Sequence, residues 1–275
     1  MAYRAICTDI DGTLLNRERE LSDRTIACIR KLRDSVRVIL ASSRMPAAMR
    51  HLQADLGVTH EPLICYNGGY VIVPQPGAPA FRVVHSAEIP LSAVQAALDL
   101  TADTEVHVSL YYADEWFVPE MDYWAKREEH NTKVSPQVAS GSEVVTHWER
   151  QGVSAHKVML MGPEAGIDRA TAGLQAQFGE LLHLYRSRPT YLEIADCSIN
   201  KAIGLQKLLE HHYTFGLTEV IAFGDNYNDT DLLNAAGWGV AVANAKDAVK
   251  AVADEITLSG KEDGVAVALE RLFAD

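Results

Sequence analysis

The sequence has few cysteines, and none of them are paired at a metal-binding spacing. Cys7, Cys28, Cys65 and Cys197 lie far apart, and no secretory signal precedes Cys7. We therefore expect neither a disulfide framework nor a zinc site. The chain also lacks a run of about 18 apolar residues, the length that a membrane-spanning helix needs. These absences predict a cytoplasmic protein with reduced thiols that neither crosses a membrane nor enters the secretory route.

Positive charge is scarce as well. The chain has 25 Lys and Arg residues against 37 Asp and Glu residues, which gives a formal net charge of −12. This balance argues against nucleic acid and anionic membranes as partners and favours a small diffusible ligand. If that ligand is an anion, a local cation such as a metal ion, Lys or Arg must attract it.

The sequence alternates short apolar runs with stretches in which apolar residues recur about every 3.6 positions. This alternation, seen near both ends of the chain, predicts an α/β fold with a Rossmann-like, doubly wound parallel sheet. In such sheets ligands bind outside the carboxyl ends of the strands, which is where Asp9, Ser42 and Asp225 fall. The predicted strands cover residues 5–8, 36–41, 219–223 and 238–242, and the predicted helices cover 22–33 and the segment from Ser42-Ser43 to Gly57.

The middle of the chain follows another pattern, with more aromatic residues and a predicted hairpin. With 275 residues, 48% of them hydrophobic, the chain can form two cores. We predict an α+β domain inserted at 84–195 between residues 1–83 and 196–275, which form one core. The elements that define the insertion are strands over 106–112 and 115–118, a helix, strand and helix up to Gly179, and strands over 181–186 and 191–195, after turn signals at Pro74, Pro76, Gly77 and Pro79.

The first acidic motif is the segment Asp9-Ile10-Asp11-Gly12-Thr13. Its two carboxylates are two residues apart, so an extended backbone would direct both to one side, and Gly12 permits a sharp turn after them. A divalent cation such as Mg²⁺ would relieve their repulsion and neutralise a bound phosphate. Taken alone, this pattern fits a solvated turn equally well.

A second acidic motif, Gly224-Asp225-Asn226-Tyr227-Asn228-Asp229, follows a predicted strand near the other end of the chain. Asp225 can complete a metal site there, although such a cluster alone also fits an acidic helix start. Either acidic motif alone could follow a strand by chance. The presence of both motifs, each after a predicted strand, is much less probable by chance.

Two further residues carry chemistry that suits a phosphate. Lys201 begins a predicted helix, where its charge opposes the helix dipole, and this favours a role with an anion over plain solvation. Ser42 ends a predicted strand, and its hydroxyl can either donate to a phosphate oxygen or cap the following helix.

Together these motifs resemble those of the haloacid dehalogenase superfamily and, within it, the Cof-type phosphatases, which carry an α/β cap inserted between the second and third motifs. The order and spacing of the motifs carry the resemblance, since no single motif is specific. Three departures leave every catalytic group in place: Ser43 replaces the usual glycine, Leu232-Leu233 replaces Met-Leu, and Ala243 replaces a methionine. The matching segments are Asp9–Thr13, Ala41–Arg44, Lys201 and Gly224–Asp229, supported by Asn67-Gly68-Gly69, Tyr191–Ile194, Asn244-Ala245 and Asp263-Gly264-Val265.

The resemblance implies magnesium-dependent hydrolysis of a small phosphate monoester, such as a sugar phosphate or a similar metabolite. It implies that Asp9 is the nucleophile, which forms an aspartyl-phosphate, and that Asp11 is the general acid and base. It also implies that the inserted cap selects the substrate. The implied metal group is Asp9, Asp11 through its backbone carbonyl, Asp225, Asn228 and Asp229; the implied phosphate- or substrate-binding group is Gly12, Thr13, Ser42, Ser43, Arg44, Lys201 and Asn228.

Two other functions fit the same motifs. A phosphotransferase or phosphomutase would pass the phosphoryl group to an acceptor other than water. A catalytically idle regulatory protein would be expected to have lost Asp9 or Asp11, and both are present. The identity of the substrate and the choice between monomer and homodimer stay open. Four polar residues of the insertion could contact a substrate but fit structural sheet positions better, and so stand outside the predicted site: His107, Tyr111, Arg186 and Arg188.

Overall fold

The computed structural model describes residues 3–75 and 81–274, so Pro76, Gly77 and Pro79 of the predicted junction lie outside the described residues. Its internal contacts divide the chain into two compact units. The first unit comprises Met1–His85 and Asn200–Asp275, and the second comprises Ser86–Ile199.

The second unit begins and ends slightly later than the insertion predicted at 84–195. At its start, the last strand of the first sheet runs on to Ser86. At its end, the backbone amide of Cys197 still donates to the Leu181 carbonyl of the second unit.

Secondary structure covers most of the described chain. None of the helices within residues 3–75 and 81–274 combines the length and the apolar character needed to cross a bilayer. The strands are β1 (Ala5–Thr8), β2 (Arg37–Ala41), β3 (Leu63–Cys65), β4 (Tyr70–Pro74), β5 (Phe81–Ser86), β6 (His107–Tyr112), β7 (Glu115–Val118), β8 (Gln137–Val138), β9 (Lys157–Met161), β10 (Leu182–Arg188), β11 (Tyr191–Asp196), β12 (Val220–Gly224), β13 (Trp238–Ala241) and β14 (Glu255–Ile256). The helices are α1 (Asp23–Leu32), α2 (Ala47–Leu56), α3 (Leu91–Thr101), α4 (Tyr123–Thr132), α5 (Gly141–Gln151), α6 (Glu164–Phe178), α7 (Lys201–His212), α8 (Thr230–Ala235), α9 (Asp247–Lys250) and α10 (Gly264–Leu272).

The first unit is built on an eight-stranded sheet in the order β14-β13-β12-β1-β2-β3-β4-β5. The strands from β14 to β3 run parallel, and β4 pairs antiparallel with β3. The predicted Rossmann-like parallel core is therefore confirmed. Because β12, β1 and β2 are parallel neighbours, their carboxyl ends meet at one edge of the sheet.

The helices of this unit begin and end where local chemistry favours it. The Ser22 hydroxyl caps α1 by accepting from the Thr25 amide at 3.1 Å, and Gly57 ends α2 in the left-handed conformation at φ +72°. Helix α1 packs against α2 and α10, whereas α7 packs against α8, as expected for helices on the two faces of a doubly wound sheet. The helix predicted to follow Ser42 directly begins only at Ala47.

The second unit has a six-stranded sheet in the order β10-β11-β9-β6-β7-β8, antiparallel except for the parallel pair β7 and β8. Helices α3, α5 and α6 contribute Val94, Trp148 and Ile167 to its buried apolar core. The predicted hairpin of β6 and β7 and the predicted pair of β10 and β11 are both present.

The four polar residues left outside the predicted site make contacts within the second unit. His107 binds the Asp122 carboxylate and the Ser109 hydroxyl, at 2.9 Å each, and so ties the start of α4 to β6. The Tyr111 ring stacks on Trp116. Arg186 pairs with Asp168, and the Arg188 guanidinium lies over the Tyr191 ring.

Candidate active site

The carboxyl ends of three neighbouring parallel strands bring the predicted site residues together. The Asp9 amide, directly after β1, donates to the Phe223 carbonyl of β12 at 3.0 Å. The Ser42 amide, directly after β2, donates to the Ile64 carbonyl of β3 at 2.9 Å. These sheet-type hydrogen bonds continue past the last strand residues and so hold the positions of the functional side chains.

Lys201 lies at the centre of the site, although it is far from the other residues in sequence. Its ammonium group donates to Asp9 Oδ1 at 2.5 Å and to Asp229 Oδ1 at 2.6 Å. Lys201 and Asp229 are fully buried and Asp9 is 5% exposed. The Asn200 side chain caps α7 by accepting from the Ile203 amide at 2.8 Å, which fixes the first turn that carries Lys201.

Asp229 and Thr13 hold the second acidic motif in place. The second carboxylate oxygen of Asp229, Oδ2, accepts from the backbone amides of Asp225 and Asn226, both at 3.0 Å. The Thr13 hydroxyl donates to Asp225 Oδ1 at 3.3 Å. Gly12 has φ +95°, and a Cβ there would lie 2.4 Å from Asp225 Oδ2, so the close approach of the two motifs requires glycine at this position.

Three carboxylates converge on one point of the site. Asp9, Asp225 and Asp229 each offer an oxygen, and these oxygens lie within 4.8 Å of one another. Asp9 Oδ2 is buried, and no hydrogen-bond partner for it occurs in residues 3–75 or 81–274. Since Lys201 supplies a single positive charge against three carboxylates, the group has the charge and the hard oxygen donors that suit Mg²⁺. The carboxylate of Asp11 is not part of this group.

The electrostatics of these groups agree with that fit. Burial raises the pKa of Asp9; Lys201 opposes this shift, and the carboxylates of Asp229 and Asp225 add to it. Burial and the Asp229 carboxylate raise the pKa of Asp225 to about 6. Burial alone would lower the pKa of Lys201, but the Asp229 and Asp9 carboxylates raise it above its ordinary value. Lys201 therefore keeps its proton at neutral pH, and a divalent cation would favour the ionised forms of Asp9 and Asp225.

Asp11 has a different environment, because two arginines hold its carboxylate. Arg44 binds it in a bidentate manner, with Nε at 2.7 Å from Oδ2 and Nη2 at 2.8 Å from Oδ1. Arg19 Nη2 lies 2.6 Å from Oδ1. Burial alone would raise the pKa of Asp11, but the hydrogen bonds and charges of Arg44 and Arg19 hold it below its ordinary value. The resting carboxyl group is therefore ionised.

The remaining predicted residues lie beside this group. The Ser42 hydroxyl is buried and accepts from the Arg44 amide at 3.2 Å, and Ser43 is partly buried. The Asn228 side chain donates to Asn67 Oδ1 at 2.9 Å and so is tied to residue 67.

Sequence reasoning missed one contributor to the site, Arg19, and left the contacts of two others undetermined. Arg19 lies outside every motif, and only its proximity to Asp11 in the fold reveals it. Asn244 donates to the Gly12 carbonyl at 2.8 Å, and Asn67 accepts from Asn228. The short motifs Asn67-Gly68-Gly69 and Asn244-Ala245 marked the last two positions, but gave no indication of what they contact.

Comparisons with known proteins bear on the family of this chain. A model of the haloacid dehalogenase-like hydrolase family matches residues 6–269. The chain is 30% identical to the 5-amino-6-(5-phospho-D-ribitylamino)uracil phosphatase YitU of Bacillus subtilis, over 98% of this chain and 97% of that protein. It is 25% identical to an HMP-PP phosphatase of Yersinia pestis, over 96% of this chain and 93% of that protein.

A solved structure shows the same fold. A haloacid dehalogenase-like hydrolase from Bacteroides thetaiotaomicron superposes with a TM-score of 0.87 at 28% identity, over 98% of this chain and 100% of that one. The family inferred from the motifs is thereby confirmed. With its fold, its motifs and its relatives in agreement, this chain belongs to the haloacid dehalogenase-like hydrolases and is a phosphatase among them.

Proposed function

We propose that this phosphatase hydrolyses a small phosphate monoester through an aspartyl-phosphate on Asp9, with Mg²⁺ as its cofactor. One observation carries the proposal. The buried Asp9 carboxylate has one oxygen on the Lys201 ammonium, while the other has no partner among the described residues. A desolvated carboxylate oxygen without a hydrogen bond is available as a nucleophile, and such an atom would be costly to keep without a function.

In the first step, Asp9 Oδ2 attacks phosphorus, and the bond from phosphorus to the leaving-group oxygen breaks. Asp11 donates a proton to that oxygen, and the alcohol leaves. In the second step, a water molecule attacks the phosphorus of the aspartyl-phosphate and gives a proton to Asp11. The bond from phosphorus to Asp9 Oδ2 breaks, so that inorganic phosphate is released and the Asp9 carboxylate is regenerated. The ammonium of Lys201, held by Asp9 and Asp229, neutralises charge on the phosphoryl oxygens during both steps.

The bound metal ion would neutralise further charge on the phosphoryl group and favour the ionised form of Asp9. Asp9 and Asp225 are the proposed side-chain ligands, with the backbone carbonyl of Asp11 as the third protein ligand. Asp229 and Asn228 are proposed to orient the surrounding groups, as the bonds of Asp229 to Lys201 and to the Asp225 amide support.

Arg44 links phosphate binding to the protonation of Asp11. Its guanidinium is buried, anchored by the Ala48 carbonyl, and paired with the Asp11 carboxylate. A substrate phosphate that competes for this guanidinium would loosen the ion pair. Asp11 could then take up the proton that the first step requires.

A screen of phosphorylated metabolites tests the function and narrows the substrate class. The two named relatives act, by their names, on a phosphorylated ribitylaminouracil and on HMP-PP, so these compounds belong in the screen beside sugar phosphates. We propose that the second unit selects among them. Release of inorganic phosphate in Mg²⁺ buffer, with no acceptor other than water, is the expected result; a strict need for another acceptor would favour a phosphotransferase. The cytoplasmic location stays a prediction from the sequence.

Removal of divalent cations should abolish turnover, and Mg²⁺ should restore it. Added Mg²⁺ should also raise the thermal unfolding midpoint of the wild type but not that of Asp225→Ala. Because the pKa values of both proposed side-chain ligands are raised, that of Asp9 as well as that of Asp225, which is about 6, protons compete with the metal. The apparent Mg²⁺ affinity should therefore fall as the pH drops from neutral toward 6 and below. Titration calorimetry at several pH values measures this. Full activity after exhaustive chelation would contradict the metal assignment.

Asp11→Asn should lower the rate of turnover by about 10²–10⁴-fold, since it removes general acid and base catalysis. The backbone carbonyl is retained, so Mg²⁺ binding should persist in calorimetry. With p-nitrophenyl phosphate, whose leaving group needs little protonation, the variant should accumulate the aspartyl-phosphate. Rapid quench followed by mass spectrometry of the peptide around residue 9 detects it. Normal turnover by this variant would remove Asp11 from the mechanism.

A further inference from the structure

The turn at residues 66–68 has an unusual backbone for non-glycine residues. Tyr66, Asn67 and Gly68 have φ values of +50°, +56° and +101°, so three successive residues lie in or near the left-handed region. Asn tolerates this conformation better than most residues, whereas it is costly for a buried tyrosine. Such a conformation persists only where the surrounding contacts impose it, and it occurs preferentially at functional sites.

The backbone of this turn is bonded to the segment that carries Ser42 and Arg44. The Asn67 amide donates to the Ser42 carbonyl at 2.9 Å, and the Tyr66 amide donates to the Arg44 carbonyl at 3.1 Å. These bonds engage the carbonyl groups of Ser42 and Arg44. Helix α2 begins later than predicted because Pro46 has no N–H to donate to the Ser42 carbonyl and disfavours a helical conformation at Met45.

On its other side the turn packs against the start of α7. A Cβ at Gly68 would lie 2.2 Å from the Asn200 carbonyl oxygen, and one at Gly204 would lie 2.8 Å from the Gly68 Cα. Both positions therefore require glycine for the backbones to approach this closely. The turn thus braces the helix end that carries Lys201.

The Asn67 side chain completes the set of contacts. Its Oδ1 accepts a hydrogen bond from Asn228 Nδ2 at 2.9 Å. A primary amide has two N–H donors, so this bond fixes the plane of the Asn228 amide and leaves its second N–H for another acceptor. In a phosphatase site, a negatively charged phosphate oxygen is an acceptor that suits this N–H donor.

We propose that Asn67 is a positioning residue, which orients the amide of Asn228 toward the substrate phosphate while its backbone holds the Ser42 segment. The proposed role of Asn67 in substrate binding rests on the proposed phosphatase function. The contacts of Asn67 with Asn228 and Ser42 do not depend on that function. The turn would act as a brace that joins the Ser42, Lys201 and Asn228 segments, which are distant in sequence.

Two substitutions separate the side chain of Asn67 from its backbone. Asn67→Gly keeps the left-handed conformation and removes the bond to Asn228, whereas Asn67→Ala also imposes backbone strain. With p-nitrophenyl phosphate and Mg²⁺, Asn67→Gly should raise KM about 10-fold, the range expected for a misplaced hydrogen bond to a charged group, with a smaller effect on kcat. Its thermal unfolding midpoint should stay within about 4 °C of the wild type, and that of Asn67→Ala should be lower.

A double-mutant cycle with Asn228→Ala tests whether Asn67 acts through Asn228. If it does, Asn67→Gly should weaken the binding of inorganic phosphate, measured by calorimetry, about 10-fold in the wild type but less than about twofold in the Asn228→Ala background. Equal losses in both backgrounds, or unchanged phosphate affinity in Asn67→Gly, would overturn the proposal. Because this cycle needs no turnover, it decides the role of Asn67 even if the wild type releases no phosphate from any ester, a result that would reject the proposed function.

Discussion

Replacement of Asp9 by Asn is expected to abolish turnover and phosphoenzyme formation together, a loss of at least about 10⁴-fold. An amide oxygen is a poor nucleophile at phosphorus, and the neutral side chain is also a weaker metal ligand. Rapid quench with labelled p-nitrophenyl phosphate should find no label on the variant. Label on any other residue would place the nucleophile elsewhere.

The stability of Asp9→Asn separates lost chemistry from lost structure. Burial and neighbouring carboxylates raise the folded pKa of Asp9, so its ionised form destabilises the metal-free protein. The same holds for Asp225, whose pKa is about 6. A raised folded pKa contributes stability only while the proton is bound, so the free energy of unfolding of metal-free wild type should fall as the pH rises from about 4 through 6 and above.

Asp9→Asn removes one of the two groups, so its loss of stability with rising pH should be shallower than that of the wild type. Denaturant unfolding at a series of pH values measures both slopes. The exposed Asp34 provides a matched control for the substitution itself, because Asp34→Asn should retain full activity. An Asp9→Asn variant that is strongly destabilised at every pH would show that its inactivity has a structural cause.

Lys201→Met is expected to have the largest effect on stability. The substitution keeps an unbranched side chain of similar length but leaves Asp9 and Asp229 as buried carboxylates without their common cation. Removing one partner from a buried ion pair costs about 3–5 kcal/mol. Turnover should be lost as well, because no positive charge would then face the phosphoryl oxygens from this side.

The control for this prediction lies on the same helix. The Lys207 side chain is 43% exposed and pairs with Glu210 at 3.6 Å, so Lys207→Met should change the free energy of unfolding by no more than about 0.5 kcal/mol. Chemical denaturation of both variants, without and with Mg²⁺, gives the comparison. Equal stability losses for the two lysines would contradict the assigned role of the Lys201 ion pairs. The loss in Lys201→Met should shrink at acidic pH, where Asp9, whose pKa is raised, can be protonated.

The resting site keeps the proposed acid, Asp11, and the proposed nucleophile, Asp9, in opposite electrostatic states. Two arginines hold Asp11 in its ionised form, while burial disfavours charge on Asp9. Neither state suits the first step by itself, since the acid lacks its proton and the nucleophile is disfavoured as an anion. Binding of Mg²⁺ and of a substrate phosphate would reverse both conditions, so the charges of the two ligands would prepare the reaction.

Much of this protein was determined by local sequence. The apolar run before Asp9, the cap at Ser22 and the helix stop at Gly57 each depend on a few neighbouring residues, and each was predicted correctly. The spacing of Asp9 and Asp11 and the position of Lys201 at a helix start are equally local. Short-range periodicity and capping chemistry are legible because they act between residues a few positions apart.

Only the tertiary structure decided how these pieces combine. Nothing in the sequence joins Arg19 to Asp11 or Asn67 to Asn228, because these contacts depend on which strand ends and turns meet. Local sequence patterns indicated which residues carry reactive groups. The protonation states and hydrogen-bond partners of these groups depend on packing at the edge of the sheet, because burial and long-range pairing exist only in the folded state.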